Sequence, residues 1–150
     1  MNKTLHRKKI RIPHYDYASA GIYFITLCTL HKAHLFGAVH QGVMSLNQHG
    51  KWINDCWLRL SDHFNGTHLD SYVIMPNHMH ALLHLVPGHK VSLSTIVGSF
   101  KSAVSKQFGA KIWQRGYWDR VIRSERELEL ARQYIINNPA KWGSYDADDY

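Results

Sequence analysis

The stretch SYVIMPNHMHALLHLV, residues 71–86, constrains the fold of this chain more than any other. It reads as two short apolar runs joined by Met75-Pro76-Asn77, with His78 and His80 just beyond the turn. Side chains alternate along a strand, so His78, His80, Leu82 and His84 share one face. Met79, Ala81, Leu83 and Leu85 fill the other face and read as core. Two imidazoles two residues apart on a strand project side by side, close enough to hold one metal ion. The pattern alone is weak. With 12 histidines in the chain, pairs at this spacing arise by chance, and a partly exposed His-rich strand is the competing reading.

The flanking segments supply partners for this hairpin. Residues 21–29, GIYFITLCT, are β-branched and aromatic with apolar residues on both faces, which predicts a central strand covered on both sides. Residues 35–39 and 43–46, separated by His40-Gln41-Gly42, predict a second hairpin. Residues 47–60 carry Ile53, Trp57 and Leu60 at helical spacing. After Pro87-Gly88, a stripe of Leu93, Ile96, Val97, Phe100, Val104 and Phe108 predicts a helix that Ser92 can cap. Its far face carries Lys101, Ser102, Ser105 and Lys106. A further helix over 124–138 opens with a capping box, Ser124 to Glu127, and stops at Pro139. The order β–(hairpin)–α–β–β–α–β–α describes an α+β fold. A ferredoxin-like antiparallel sheet sandwiched with helices is its natural form, with the histidine strand beside residues 21–29.

Composition narrows the partner. The 150 residues read as one domain, residues 1–150, with a basic arm over 1–20 and an acidic tail bearing Asp146, Asp148 and Asp149. A net charge of +7 directs such a domain toward polyanions, nucleic acid first. Cys28 and Cys56 lack metal-ligand spacing and sit in apolar runs, as reduced cytoplasmic cysteines do. The basic start leads to Pro13-His14-Tyr15-Asp16 rather than an apolar segment, so no signal peptide is read there. The longest apolar stretches are too short to span a bilayer.

The last helix carries the second chemical clue. Tyr134 and Asn138 are four residues apart and lie on one helical face. Leu128, Ala131 and Ile135 form the adjacent stripe that would dock this helix on the sheet. If it docks on the face bearing His78 and His80, three neutral ligands and a phenol meet at one point. The competing readings are a core tyrosine with its hydroxyl at the rim and an asparagine that only caps the helix before Pro139.

PNHMH in a strand pair, WQRGYWDRVIRSERE and YIINNPAKWG, in that order, closely resemble the single-tyrosine transposases of the His-hydrophobic-His superfamily. The nearest branch is the transposases associated with repetitive extragenic palindromes (REP), related to the IS200-type enzymes. The resemblance runs from about residue 21 to 143. It implies that His78 and His80 are metal ligands and that Tyr134, on the C-terminal helix, is the catalytic nucleophile. Asn138 falls where IS200-type relatives place a glutamine that completes the metal site. The resemblance also implies that residues 113–123 help build a DNA site, with Arg115, Arg120 and Arg123 as phosphate contacts. Lys101 and Lys106 join them as candidate DNA-binding residues.

The implied activity is a metal-dependent endonuclease and strand transferase acting on single-stranded DNA, presented by a hairpin or palindromic repeat. Tyrosine attack on the scissile phosphorus gives a 5′-phosphotyrosine and frees a 3′-hydroxyl. A phenol, with a pKa of roughly 10, is a weak nucleophile at neutral pH unless its charge is stabilised. Mixed nitrogen and oxygen ligands suit Mn²⁺, or Mg²⁺ with water and phosphate oxygens completing the shell. The expected partners are single-stranded or hairpin DNA and no membrane, with the chain acting as a monomer or a homodimer. The alternative is a non-catalytic nucleic-acid-binding or regulatory protein on the same fold.

Overall fold

The computed structural model describes residues 20–143. The acidic tail and all but Ala20 of the basic arm lie outside the described residues. Four strands form one antiparallel sheet: β1 (Gly21–Cys28), β4 (Thr67–Met75), β5 (His78–Leu85) and β6 (Trp118–Ile122), in the order β4-β5-β1-β6. That order is the ferredoxin-like arrangement expected for a βαββαβ core, and it puts the histidine strand at the centre. Strands β2 (Gly37–His40) and β3 (Val43–Leu46) make the separate hairpin, turning at Gln41 and Gly42. Both turn residues have positive φ, 51° and 77°, as a tight two-residue hairpin turn requires.

Alternation along β5 divides the protein into two layers. Met79, Ala81, Leu83 and Leu85 join the main core with Tyr23, Ile25 and Leu27 of β1. The helices α1 (Gln48–Leu58) and α3 (Leu93–Phe108) cover this face with Ile53, Trp57, Ile96, Val97, Phe100 and Val104. Asn47 caps α1 by accepting from the Gly50 N–H, and Ser92 caps α3 by accepting from the Thr95 N–H. On the opposite face, Leu82 and Ile122 meet Ala131 and Ile135 of α4 (Glu125–Asn137), with Phe24, Val73 and Leu128 around them. Burying a side chain such as Ile135, 1 % exposed, contributes about 2 kcal/mol to docking α4 on the histidine face.

Local differences from the sequence reading have physical causes. The helix expected over 47–60 breaks at Arg59, and a short α2 (Leu60–His63) follows. Strand β4 starts at Thr67, earlier than its apolar run, because a bulge between Leu69 and Tyr72 shifts the register. An extra residue breaks strict alternation there and hides the first half of the strand. Ser124 accepts from the Glu127 N–H at 3.1 Å, as the capping box predicts. The reciprocal bond comes from the neighbouring Arg123 N–H to Glu127 Oε1.

Candidate active site

The β4–β5 turn is buried, and its surroundings hold it from two sides. The Pro76 carbonyl accepts from the Leu35 and Phe36 N–H groups, and the Asn77 carbonyl accepts from both the N–H and the hydroxyl of Thr29. The Asn77 side chain is thereby anchored beside the first histidine. Its Oδ1 lies 2.7 Å from His78 Nδ1. A carbonyl oxygen only accepts, so Nδ1 carries the proton and Nε2 presents a lone pair. Across β1 and β5, Thr26 pairs with His80, and Thr26 Oγ1 lies 2.8 Å from His80 Nδ1. The two imidazoles pack edge to face with centroids 4.8 Å apart. Both are buried, at 0 % and 1 % exposure. Burial pushes the His78 pKa down to about 4 and His80 well below the ordinary imidazole range, so both rings are neutral at neutral pH.

Helix α4 brings the other two residues to this point. Asn138, 1 % exposed, sits at the C-cap, and its Nδ2 donates to the Tyr134 carbonyl at 3.4 Å. That bond turns Oδ1 toward His78, 3.4 Å from Nε2. Asn138 is therefore both cap and candidate ligand. With the His78 proton on Nδ1, two buried acceptors face each other, an arrangement that a cation between them would satisfy. Two neutral imidazoles and an amide oxygen fit a divalent ion on this chemistry. Among the described residues, no group of three or more His, Cys, Asp or Glu is placed to hold a metal. Tyr134 stands at the rim, 37 % exposed, its ring 5.2 Å from that of His80.

The four residues are framed by others. Phe24 packs against both His80 and Tyr134, at 5.4 and 6.1 Å between centroids, and the Arg120 guanidinium lies 5.3 Å over its outer face. Trp142 folds back after Pro139–Lys141 and stacks on His78 at 6.3 Å. Arg132 of α4 makes a bidentate pair with Asp70 of β4, Nε to Oδ1 at 2.9 Å and Nη2 to Oδ2 at 2.6 Å. His84 Nε2 reaches the same carboxylate at 2.7 Å. Arg132, the largest influence, holds Asp70 well below the usual carboxylate range. Ile135 is buried between α4 and the sheet, and this pair ties α4 to β4 two residues from Tyr134.

Comparison with known proteins places this geometry. No family model matches the chain. An uncharacterized protein of Haemophilus influenzae is 32 % identical over 162 residues, covering 91 % of this chain and 90 % of its own length. A REP-associated tyrosine transposase of Escherichia coli is 30 % identical over 76 residues, 50 % of this chain and 46 % of that protein. A solved REP-associated tyrosine transposase bound to a REP hairpin has the same fold, with a TM-score of 0.71 and 20 % identity. The match covers 94 % of this chain and 80 % of that one. The chain is similar to REP-associated tyrosine transposases in sequence over half its length and in fold over nearly all of it.

The structure brings His78, His80, Tyr134 and Asn138 together, with Arg120 beside them. Arg123 is exposed just ahead of α4. Arg115 and Lys106 are also exposed, but Lys106 lies in the last turn of α3, the helix on the other face of the sheet, and Arg115 in the loop after it. Lys101 is turned inward, its Nζ donating to the carbonyls of Gln114 at 2.9 Å and Gly116 at 2.7 Å. Burial lowers its pKa to about 8. His84, with no role from sequence, is tied to Asp70. Sequence reasoning assigned nothing to Thr26, Asn77, Phe24, Asp70, Arg132 or Trp142. Asn77 had a signal, since it directly precedes His78 inside a quoted motif; the others needed strand register or chain reversal. No helix among the described residues is long and apolar enough to cross a membrane.

Proposed function

We propose that this protein is a transposase, a metal-dependent single-stranded DNA endonuclease and strand transferase that uses Tyr134 as its nucleophile on hairpin or palindromic repeat DNA. The observation that carries this reading is the meeting on one face of Tyr134 with His80 and, one helical turn on, Asn138 with His78. A divalent ion, Mn²⁺ or Mg²⁺, held by His78, His80 and Asn138 supplies Lewis-acid polarisation of the scissile phosphate when bound.

The protein's own groups do the rest. Asn77 and Thr26 hold the imidazoles in one orientation, so no reorganisation is needed at the moment of reaction. Tyr134, packed on Phe24 and His80 yet open to solvent, can present its oxygen to an unpaired phosphodiester. Attack forms the tyrosine–phosphorus bond and breaks the bond to the 3′ oxygen; the phenolic proton leaves to solvent and the departing oxygen takes one up. A new 3′-hydroxyl attacking the phosphotyrosine reverses the step and joins a different strand. Arg120 lies where it can bind an adjacent phosphate. Tyr134, His78, His80 and Asn138 all belong to one chain, which supports cleavage by a monomer.

The test is incubation with labelled hairpin DNA from the flanks of the gene, with Mn²⁺ or Mg²⁺, followed by denaturing electrophoresis. The expected result is a protein–DNA adduct that maps to Tyr134. Binding without adduct or cleavage, across several flanking sequences and both metals, overturns the reading in favour of a DNA-binding regulator.

A further inference from the structure

Trp142 touches a candidate metal ligand but takes no part in the chemistry. Its indole stacks on His78 with ring centroids 6.3 Å apart and planes 25° from parallel. The exposed His34 meets the same indole edge to face at 5.5 Å. We propose that Trp142 is a positioning residue: it fixes the plane of the His78 ring, so that Nε2 keeps its direction toward Asn138 Oδ1 and a cation held between them. The proposal rests on the function proposed above and adds a residue to its machinery.

Three observations support this role. First, hydrogen bonding leaves one motion of the ring open. Asn77 Oδ1 holds Nδ1 at 2.7 Å and fixes the tautomer, whereas Asn138 Oδ1, 3.4 Å from Nε2, restrains the other corner weakly. One short bond at one corner resists tilting poorly; a flat indole stacked on the imidazole opposes it directly. Second, the backbone carries Asn138 and Trp142 to the same imidazole. Pro139 ends α4, and the 3₁₀ turn Pro139–Lys141 reverses the chain. The Lys141 N–H donates to the Asn138 carbonyl at 3.1 Å, and the Trp142 N–H to the Pro139 carbonyl at 3.2 Å. The β2–β3 hairpin lies against this turn: a methyl group on Gly42, at the hairpin tip, would sit 3.5 Å from the Ala140 Cα. Third, ligation of a cation draws electron density from an imidazole, and the electron-rich indole face then favours the ligated ring over the free one. His80 has aromatic neighbours of the same kind in Phe24 and Tyr134, at 5.4 and 5.2 Å.

The experiment compares Trp142→Phe, Trp142→Leu and Trp142→Ala with the wild type in measurements that need no DNA cleavage. By calorimetry, Mn²⁺ affinity should fall about 10-fold in Trp142→Leu and Trp142→Ala and stay within about threefold in Trp142→Phe, which keeps a flat ring. In the metal-free protein, the NMR signals of the His78 ring, identified by their loss in His78→Gln, should move in Trp142→Leu and Trp142→Ala and move least in Trp142→Phe. Hairpin affinity in EDTA should stay within about twofold in all three. A hairpin loss as large as the Mn²⁺ loss would make Trp142 a platform for a base and overturn the proposal. Mn²⁺ affinity that Trp142→Leu preserves, or that falls in step with the unfolding temperature across the three variants, overturns it too. The two readings fail separately. Trp142-dependent Mn²⁺ binding in a protein that never forms a Tyr134 adduct keeps the positioning role and removes the nucleophile. Adduct formation with Mn²⁺ affinity unmoved in all three variants removes Trp142 alone.

Discussion

The two faces of one sheet solve different binding problems. Around the two histidines on the α4 face the polar groups are few, neutral and buried, and partners hold them in place: Asn77 on His78, Thr26 on His80, the Tyr134 carbonyl on Asn138. On the α3 face they are charged, and all but Lys101 are exposed on long flexible stems. Chemistry at a phosphorus atom needs donors at fixed angles in a site stripped of water. Holding a phosphate backbone needs charge at roughly the right spacing and tolerates motion. Damage to the first face should therefore be severe and insensitive to salt. Damage to the second should be graded and fade as salt rises.

Tyr134→Phe is the sharpest cut. Removing the nucleophile should lower adduct formation by on the order of 10³-fold or more while hairpin affinity stays within about twofold. Cleavage that survives in this variant, read on a denaturing gel, would replace tyrosine with bound water as the attacking group. Asn77→Ala tests whether orientation matters as much as ligation. Without its acceptor the His78 ring loses its fixed tautomer, and Mn²⁺ affinity by calorimetry should fall about 10- to 100-fold. An unchanged affinity would mean that the turn does not set the ring.

Acid should also distinguish the faces. An unfolded imidazole titrates near 6.5, whereas buried His78 does so at about 4. The folded state thus binds its proton less readily, and the associated stability is fully present above about pH 6.5 and lost as pH falls toward 4. For His78 that loss is on the order of 3 kcal/mol, and His80 shifts in the same direction. Asp70, held low by Arg132, adds a further loss only below its unfolded pKa near 4. Urea unfolding of the metal-free protein across this range should show both windows; a flat profile between pH 6.5 and 4 would contradict the buried neutral pair.

Smaller effects follow at the margins. Arg132→Ala should cost about 1 kcal/mol of stability, as a partly exposed bidentate pair does. It should also slow adduct formation about threefold at saturating DNA, because Ile135 still docks the helix but its rotation is freer. Wild-type kinetics in that variant would make the pair structural only. Lys106→Ala alone should weaken hairpin binding about fivefold at 0.15 M salt and less at higher salt. A loss that persists undiminished in high salt would place Lys106 in a specific contact.

Local patterning in the sequence determined the elements and their faces. Period-two alternation put His78 and His80 on one side of β5, and the spacing of Leu128, Ala131 and Ile135 gave α4 its docking stripe beside Tyr134. Motif order then tied these to a family. The hairpins, the Ser92 cap and the Pro139 stop were legible for the same reason: each depends on residues a few positions apart. What joins distant segments was decided by the tertiary structure. Thr26 meets His80 through a register set by a whole strand pairing, across 54 residues of sequence. Asp70 meets Arg132 because a bulge in β4 and the rotation of α4 coincide. Trp142 covers His78 only after the chain reverses at Pro139. Asn138 reads along the chain first as a cap, and its Oδ1 also faces His78 because α4 ends over that residue. Lys101 looks like a surface cation on its helix, yet the loop that folds back over it turns its ammonium inward. Faces follow from backbone geometry within one element; partners follow from which faces packing brings together.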